Sequence, residues 1–420
     1  MNQPLVFTLA GCFALTLTGV DANAQSVALP NKNPRVRAMF DTLRASNQWT
    51  IGEQISICEI PAPPFKEQAR AGELRRRFAA LGLRNARLDK EGNAIAERPG
   101  AGGGPTVVIS GHLDTVFPET TDVRVKREGT RLRSPGIGDD CRGLAVLLAV
   151  ARALDAARVR TRGTLIFVGT VGEEGPGNLR GVRHLVDSSL ARRIDYFISV
   201  DGGGSTITSR AVGSHRYRIT YSGSGGHSFD DFGRPSATHA LGRAIAAVGT
   251  LTVPASPKTT FNVGAITGGT SINAIAERAT MEVDLRSESP SALDSLDAAF
   301  RQAIAKALSD ENSRASGAMQ PLQMKIDTIG IRPAAAQPDS ARIVRVAIQT
   351  ARLLGFDGHT EAASTDANYP MNRGIPAITI EGGGESANAH SLDEWYDDGP
   401  EGWRGPQWAA LVALTLAGVR

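Results

Sequence analysis

Five side chains able to ligate a metal stand close to apolar segments that read as buried strands or helices. Val107-Val108-Ile109 runs into Gly111-His112-Leu113-Asp114-Thr115, and Leu165-Ile166-Phe167-Val168 runs into Gly172-Glu173-Glu174-Gly175. Phe197-Ile198-Ser199-Val200 ends on Asp201, and Ile378-Thr379-Ile380 is followed by a glycine run and then His390. Asp139 stands at the mouth of a helix. In an open α/β sheet, ligands bind outside the carboxyl ends of the strands, so one edge can gather all of these groups. Core packing has no use for ionisable side chains at that edge. The pattern reads as a metal-dependent active site.

His112 and Asp114 lie two apart at a strand end and point to the same side. The carboxylate can accept the ring N–H, leaving the other ring nitrogen for a metal. Alone, the pair reads equally as a turn histidine with an acceptor. Pro135-Gly136-Ile137-Gly138-Asp139-Asp140 precedes a helix. One aspartate there suits an N-cap, while a second exceeds what capping needs and can bridge two cations. Glu173 and Glu174 would repel each other unless metal or shared protons compensated them. A natural division gives one to the metal and leaves the other as general base for an attacking water. Asp201 and His390 are unremarkable singly. Together, two imidazoles and several carboxylates suit two divalent ions, zinc before cobalt or manganese. With a shared Asp bridge such ions sit ~3.5–4 Å apart, as in aminopeptidases.

The elements around these residues fall into two patterns. Up to about residue 210, helix and strand alternate. Helices are expected over residues 35–58, 67–83 and 143–157, and strands over 106–110, 164–171 and 196–201. Strands spaced by helices predict an α/β fold with a mainly parallel sheet flanked by helices. From 211 to 332 the strands alternate in polarity, at residues 216–221, 260–266, 280–286 and 323–329. Helices over 237–248 and 291–308 accompany them. This segment is expected to be a smaller α/β sandwich inserted into the first domain. A helix over 340–354 and a strand over 377–380 resume the first pattern. The catalytic domain is therefore expected in two parts, residues 25–210 and 333–420, around an inserted domain at 211–332.

The chain has 420 residues, 41% hydrophobic and 21% charged, ordinary for a globular protein with a substantial core. Its net charge is only +3, and the basic residues are dispersed. Arg75-Arg76-Arg77 lies among Ala71, Leu74, Phe78 and Leu81 at helical spacing, which puts the arginines on a solvated face and argues against nucleic-acid binding. Residues 5–20 are nearly all apolar, and Ala22-Asn23-Ala24 before Gln25 has the small-x-small form of a cleavage site. Residues 1–24 thus read as an export signal, predicting a periplasmic or secreted protein, although residues 1–4 lack a basic side chain. Leu9-Ala10-Gly11-Cys12 offers an alternative, a lipoprotein box with Cys12 as lipid anchor. Against it, the apolar run continues through Phe13, Leu15 and Leu17. No other segment approaches the ~20 apolar residues of a membrane span. Cys58 and Cys141 remain after cleavage, too few for a disulfide scaffold, and are expected as free buried thiols. The nearness of Cys141 to Asp139 leaves a place behind the metal ligands open to it.

At this point the chain resembles the di-zinc exopeptidases and deacylases that include glutamate carboxypeptidase, acetylornithine deacetylase, succinyl-diaminopimelate desuccinylase, carnosinase and peptidase T. The resemblance runs from about residue 35 to the C-terminus. Its motifs occur in family order: Gly-His-Leu-Asp-Thr, Gly-Ile-Gly-Asp-Asp, Gly-Glu-Glu-Gly, Ser-Val-Asp-Gly, Gly-Gly-His-Ser, Asn-Ala-Ile, Asp-Leu-Arg and Ala-His-Ser. It implies that His112 and Asp201 hold one zinc, that Glu174 and His390 hold the other, and that Asp139 bridges both. It further implies that Asp114 orients His112, that Glu173 is the general base and acid, and that the Asp139-Asp140 peptide is cis. The inserted domain becomes a lid that usually mediates homodimerisation. His227, in Ser224-Gly225-Gly226-His227-Ser228, matches a lid histidine that stabilises the oxyanion, often in the partner subunit. Asn273 and Arg286 match positions that bind the substrate's polar backbone or carboxylate. Ala276 stands where the family often has proline. Asp201 stands where its carboxypeptidases and deacylases usually have glutamate, and aspartate is more typical of the peptidase T and carnosinase branches. The resemblance thus implies an exported di- or tripeptidase or aminopeptidase acting on small peptides. An N-acyl-amino-acid deacylase or carboxypeptidase is the nearest rival, and a catalytically inactive binding domain is a rival from another class.

Overall fold

The computed structural model describes residues 27–315 and 320–420, so the leader, its cleavage site and Cys12 lie outside the described residues. The chain opens with helices α1 (Pro34–Ala45), α2 (Asn47–Cys58) and α3 (Gln68–Ala80). The single helix expected over 35–58 is broken at Ser46, whose hydroxyl bonds back to the Thr42 carbonyl at 2.7 Å. Strands β1 (Arg84–Leu88), β2 (Ala94–Arg98) and β3 (Val107–His112) follow, then helix α4 (Cys141–Ala156). Next come β4 (Leu165–Thr170), β5 (Tyr196–Val200) and β6 (Ile207–Ala211).

The inserted domain comprises strands β7 (Gly213–Ser222), β8 (Thr259–Gly268), β9 (Arg278–Ser287) and β10 (Gln323–Arg332), with helices α5 (Ala237–Gly249) and α6 (Pro290–Asn312). The chain then returns through β11 (Ala335–Ala336), α7 (Arg342–Leu353), β12 (Thr360–Ala363), β13 (Ala377–Ile380) and α8 (Arg404–Ala417).

The large sheet runs β1-β2-β4-β3-β5-β13-β6-β11, with β12 also on β6. Its middle four strands, β4, β3, β5 and β13, are mutually parallel. Val107 pairs with Leu165 and His112 with Thr170, so β3 and β4 end level with each other. Ile380 likewise ends level with Val200. Both β3 and β4 are buried along their whole length, as parallel strands covered on both faces must be. Helix α4 is apolar nearly all round and fully buried from Leu144 to Leu148, and α8 is buried from Gly405 to Ala417. A helix without a polar face belongs in a core, and these two fill the space on one side of the sheet.

The inserted sheet is antiparallel in the order β8-β9-β7-β10. Along β9, buried and half-exposed residues alternate, so one face packs on α5 and α6 while the other is turned away from them. Tyr217 stacks on Phe300 across that buried face, with ring centroids 5.8 Å apart.

Two expectations need correction. Cys58 and Cys141 are not free thiols: they form a disulfide, with Cα atoms 5.4 Å apart. Packing of α2 against α4 brings the last residue of one helix beside the first of the other. The last inserted strand, expected over 323–329, extends to Arg332. Among the described residues, no helix is long and apolar enough to cross a membrane.

Candidate metal centre

The parallel strands β3, β4 and β5 each deliver an ionisable group at their carboxyl ends. His112 is the last residue of β3, Asp201 follows β5 directly, and Glu173 and Glu174 follow β4 by a short turn. His390 arrives differently. It sits at the tip of a hairpin between the short strands Glu385–Ala387 and Trp395–Asp397, which join Arg131–Arg133 and Lys126–Glu128 in a small separate sheet. Asn388 and His390 both take left-handed backbone conformations, with φ of 60° and 65°. That turn costs on the order of 1 kcal/mol per non-glycine residue and swings the imidazole toward the cluster.

The two neighbouring aspartates divide the work that the sequence leaves undecided. Asp140 is the N-cap of α4: Oδ1 accepts from the Gly143 N–H at 2.9 Å and the Gly202 N–H at 3.2 Å, while Oδ2 accepts from the His112 N–H at 2.9 Å. Its oxygens are thereby committed to backbone, tying the ends of β3 and β5 to the helix. Asp139 faces the histidines. Its Oδ1 lies 2.7 Å from His112 Nε2, and its Oδ2 lies 3.2 Å from His390 Nε2. The peptide joining the two aspartates is cis.

Around that carboxylate, Asp201 Oδ1 stands 3.8 Å from His112 Nε2, and Glu174 Oε1 stands 2.8 Å from His390 Nε2. Ligand atoms of His112, Asp139 and Glu174 all lie within 4.8 Å of one another, as do those of His112, Asp140 and Asp201. The donor set is imidazole nitrogen and carboxylate oxygen, with one carboxylate oxygen turned to each histidine. That arrangement fits divalent cations.

Asp114 is buried and joins two of the ligand-bearing segments. Its carboxylate accepts from the N–H groups of Glu173 at 3.0 Å and Glu174 at 2.9 Å. The His112 Nδ1 lies 3.0 Å from the Asp114 backbone carbonyl and 3.7 Å from its carboxylate. The ring N–H is therefore oriented by this residue chiefly through its main chain, because the side chain is occupied by the β4 loop.

Electrostatics without metal are severe. His390 is pushed up to about 10 by Asp139 and Glu174. Burial pulls His112 down, but Asp114 and Asp139 outweigh it and hold the imidazole well above its usual range. Burial pushes Glu173 up to about 8 and Asp201 well above an ordinary carboxyl. Such crowding of shifted groups in a cleft marks a functional site.

A cavity of about 700 Å³ opens beside the cluster, lined on one wall by Asp139, Glu173, Glu174, Asp201 and His390. Its opposite wall belongs to the inserted sheet and includes Arg216, Asn262, Asp284 and Arg286. Asp284 accepts from Arg286 at 2.6 Å and Arg216 at 3.4 Å, which holds both guanidinium groups at that wall. His227 and Asn273 are not in this wall. They sit together on an outer hairpin in which His227 pairs with Ala274 and the Ser228 N–H donates to the Asn273 carbonyl at 3.0 Å. The His227 side chain is half exposed.

Two participants escape sequence reasoning. Glu394 is buried, and its carboxylate accepts from the N–H groups of Gly136 at 2.7 Å, Gly138 at 2.8 Å and Asp139 at 3.0 Å. It thus shapes the loop that presents Asp139, and its only signal is an acidic residue four places after His390. Arg332 contacts Glu173 and carries no signal at all, since its partner lies 159 residues away.

Comparison with known proteins agrees with this geometry. Residues 108–403 match the model of peptidase family M20/M25/M40. The uncharacterized protein YqjE of Bacillus subtilis is 24% identical over 351 residues, covering 80% of this chain and 90% of that protein. The aminopeptidase PepT of Bacillus cereus superposes with a TM-score of 0.72 at 20% identity, covering 90% of this chain and all of that one. A tripeptidase of Staphylococcus aureus superposes with a TM-score of 0.73 at 21% identity, covering 88% and 97%.

Proposed function

Because the chain belongs to peptidase family M20/M25/M40 and is a metal-dependent hydrolase, we propose that it cleaves amide bonds of small peptides, as an exported di- or tripeptidase or aminopeptidase. One observation carries the reading: Asp139 presents one oxygen to each of two histidines, beside a glutamate, Glu173, on the wall of a 700 Å³ cavity. His112, Asp139 and Asp201 would hold one divalent cation, and Asp139, Glu174 and His390 a second, zinc being the ion this donor set suits. When bound, such ions polarise the scissile carbonyl and make water acidic enough to attack at neutral pH. Glu173 takes the proton of the attacking water and returns it to the leaving amine. A cavity of about 700 Å³ is of the size that takes a small ligand such as a short peptide.

The aspartate at 201 and the likeness in fold to a tripeptidase and an aminopeptidase support short peptides with a free amino end. Arg216 and Arg286 on the far wall favour a second reading, in which a substrate carboxylate is gripped there and an N-acyl amino acid is cleaved. Assay of the zinc-loaded chain from Gln25 onward on unblocked di- and tripeptides and on N-acetylated amino acids separates the two. Turnover of the acetylated compounds alone would reject the peptidase reading.

The Cys58–Cys141 disulfide supports export, since such bonds persist in oxidising compartments. Phe229, Phe232 and Ile272 stand almost fully exposed on the segment that carries His227 and Asn273. Apolar side chains grouped like this support a homodimer formed through the inserted domain, with His227 acting on the partner's site.

A further inference from the structure

The inserted sheet's last strand, β10, ends on Arg332, and Pro333 then returns the chain to the catalytic domain. The arginine is only 4% exposed. Its Nη1 donates to Glu173 Oε1 at 3.1 Å and to Ser364 Oγ at 3.0 Å, and its Nη2 donates to the Glu173 backbone carbonyl. The residue before it is fastened to the same loop: the Ile331 N–H donates to Asn178 Oδ1 at 2.9 Å, and the Ile331 carbonyl accepts from Arg183.

A buried ion pair is weak as a stabilising device, because desolvation cancels most of the attraction. This pair also lies outside the hydrophobic core, since both partners line the substrate cavity. Its geometry does something more specific. The guanidinium grips both the side chain and the main chain of Glu173, so it fixes the residue's rotamer and its backbone together. Only Oε1 is engaged among the described residues, which leaves Oε2 unbonded at the cavity wall. Among the described residues Arg332 hydrogen-bonds to none of the metal ligands, and both of its Nη atoms are engaged by Glu173 and Ser364.

We propose that Arg332 is the positioning residue of the general base. It sets one carboxylate oxygen of Glu173 so that the other faces the reacting water, and it does so from the inserted domain. The base is therefore in place only while the end of β10 is docked on the loop of residues 173–178. The inference rests on the reading of Glu173 as the base.

The test is a double-mutant comparison on the zinc-loaded chain from Gln25 onward, using the best substrate of the panel above. Arg332→Ala should lower kcat by about 100-fold with KM changed by no more than about 3-fold and with zinc content retained, in a chain that still folds at the assay temperature. Arg332→Lys should fall between the two, and added guanidinium should restore part of the Arg332→Ala rate but none of the Glu173→Gln rate. In a Glu173→Gln background, removing Arg332 should cost nothing further, because residues acting as one unit are not additive. Losses that multiply in the double variant, or a raised KM at unchanged kcat, would overturn the proposal and make Arg332 a structural or substrate-binding residue. An inactive Glu173→Gln beside a fully active Arg332→Ala would overturn it too, leaving the base intact. A fully active Glu173→Gln would remove the base reading itself. If Arg332→Ala does not fold, Arg332→Lys with and without Glu173→Gln makes the same comparison.

Discussion

With its two oxygens 2.7 and 3.2 Å from the ring nitrogens of His112 and His390, Asp139 is the pivot of the site. Replacing it by asparagine should abolish binding of both ions, whereas His390→Ala should leave one, as read by metal analysis of the purified variants. Retention of two ions in Asp139→Asn would contradict the bridge. Glu173→Gln, by contrast, should keep its metal and lose turnover by about 10²–10⁴-fold, the range for loss of a general base. The shifted titrations add a second check. At neutral pH without metal, His390, raised to about 10 by Asp139 and Glu174, carries a proton that must leave before it can ligate, and His112 is shifted in the same direction by Asp114 and Asp139. Metal uptake should therefore release protons, and affinity should fall as pH is lowered. Calorimetry in two buffers of different ionisation enthalpy measures the release, and none at pH 7 would refute the assignment. At this scale the ligands were legible because ionisable residues after buried strands have no packing role. The split between Asp139 and Asp140 was not, because capping and bridging demand the same residue type and only the backbone path separates them.

The elements explain which parts of the fold sequence reading can reach. β3, β4, β5 and β13 are continuous apolar runs, and their burial on both faces leaves no other reading. The alternation along β9 was equally plain, since one face meets α5 and α6 and the other does not, whereas β7 departs from it where Ile219, Thr220 and Tyr221 are buried in succession. The hairpin that presents His390 was invisible: its strands are three residues long and too short for any periodicity. The disulfide was hidden for a related reason, because 83 residues separate two cysteines that meet only when α2 packs on α4. Closing a loop of that length restricts the unfolded chain. Replacing both cysteines by serine should lower the free energy of unfolding by roughly 2–4 kcal/mol. Urea unfolding under non-reducing conditions measures it, and an unchanged midpoint would contradict the bond.

For the whole molecule, one relation dominates: the large-sheet domain, with the loop before α4 and the hairpin of His390, supplies the candidate ligands, and the inserted domain supplies the opposite wall of the cavity. Arg216 and Arg286 stand on that wall, and Arg332 reaches from the inserted domain to Glu173. The same domain carries the exposed Phe229 and Phe232. On the homodimer proposed above, sedimentation equilibrium should find the unaltered chain dimeric and a Phe229→Asp, Phe232→Asp variant monomeric with its metal content unchanged; a monomeric unaltered chain would refute the dimer, and a dimeric variant would place the interface elsewhere. The central claim, two cations sharing one aspartate, is open to direct observation. Anomalous diffraction at the zinc edge from zinc-soaked crystals should show two peaks ~3.5–4 Å apart on either side of the Asp139 carboxylate, one at His112 and Asp201 and the other at Glu174 and His390. A single peak, or none in contact with Asp139, would contradict it.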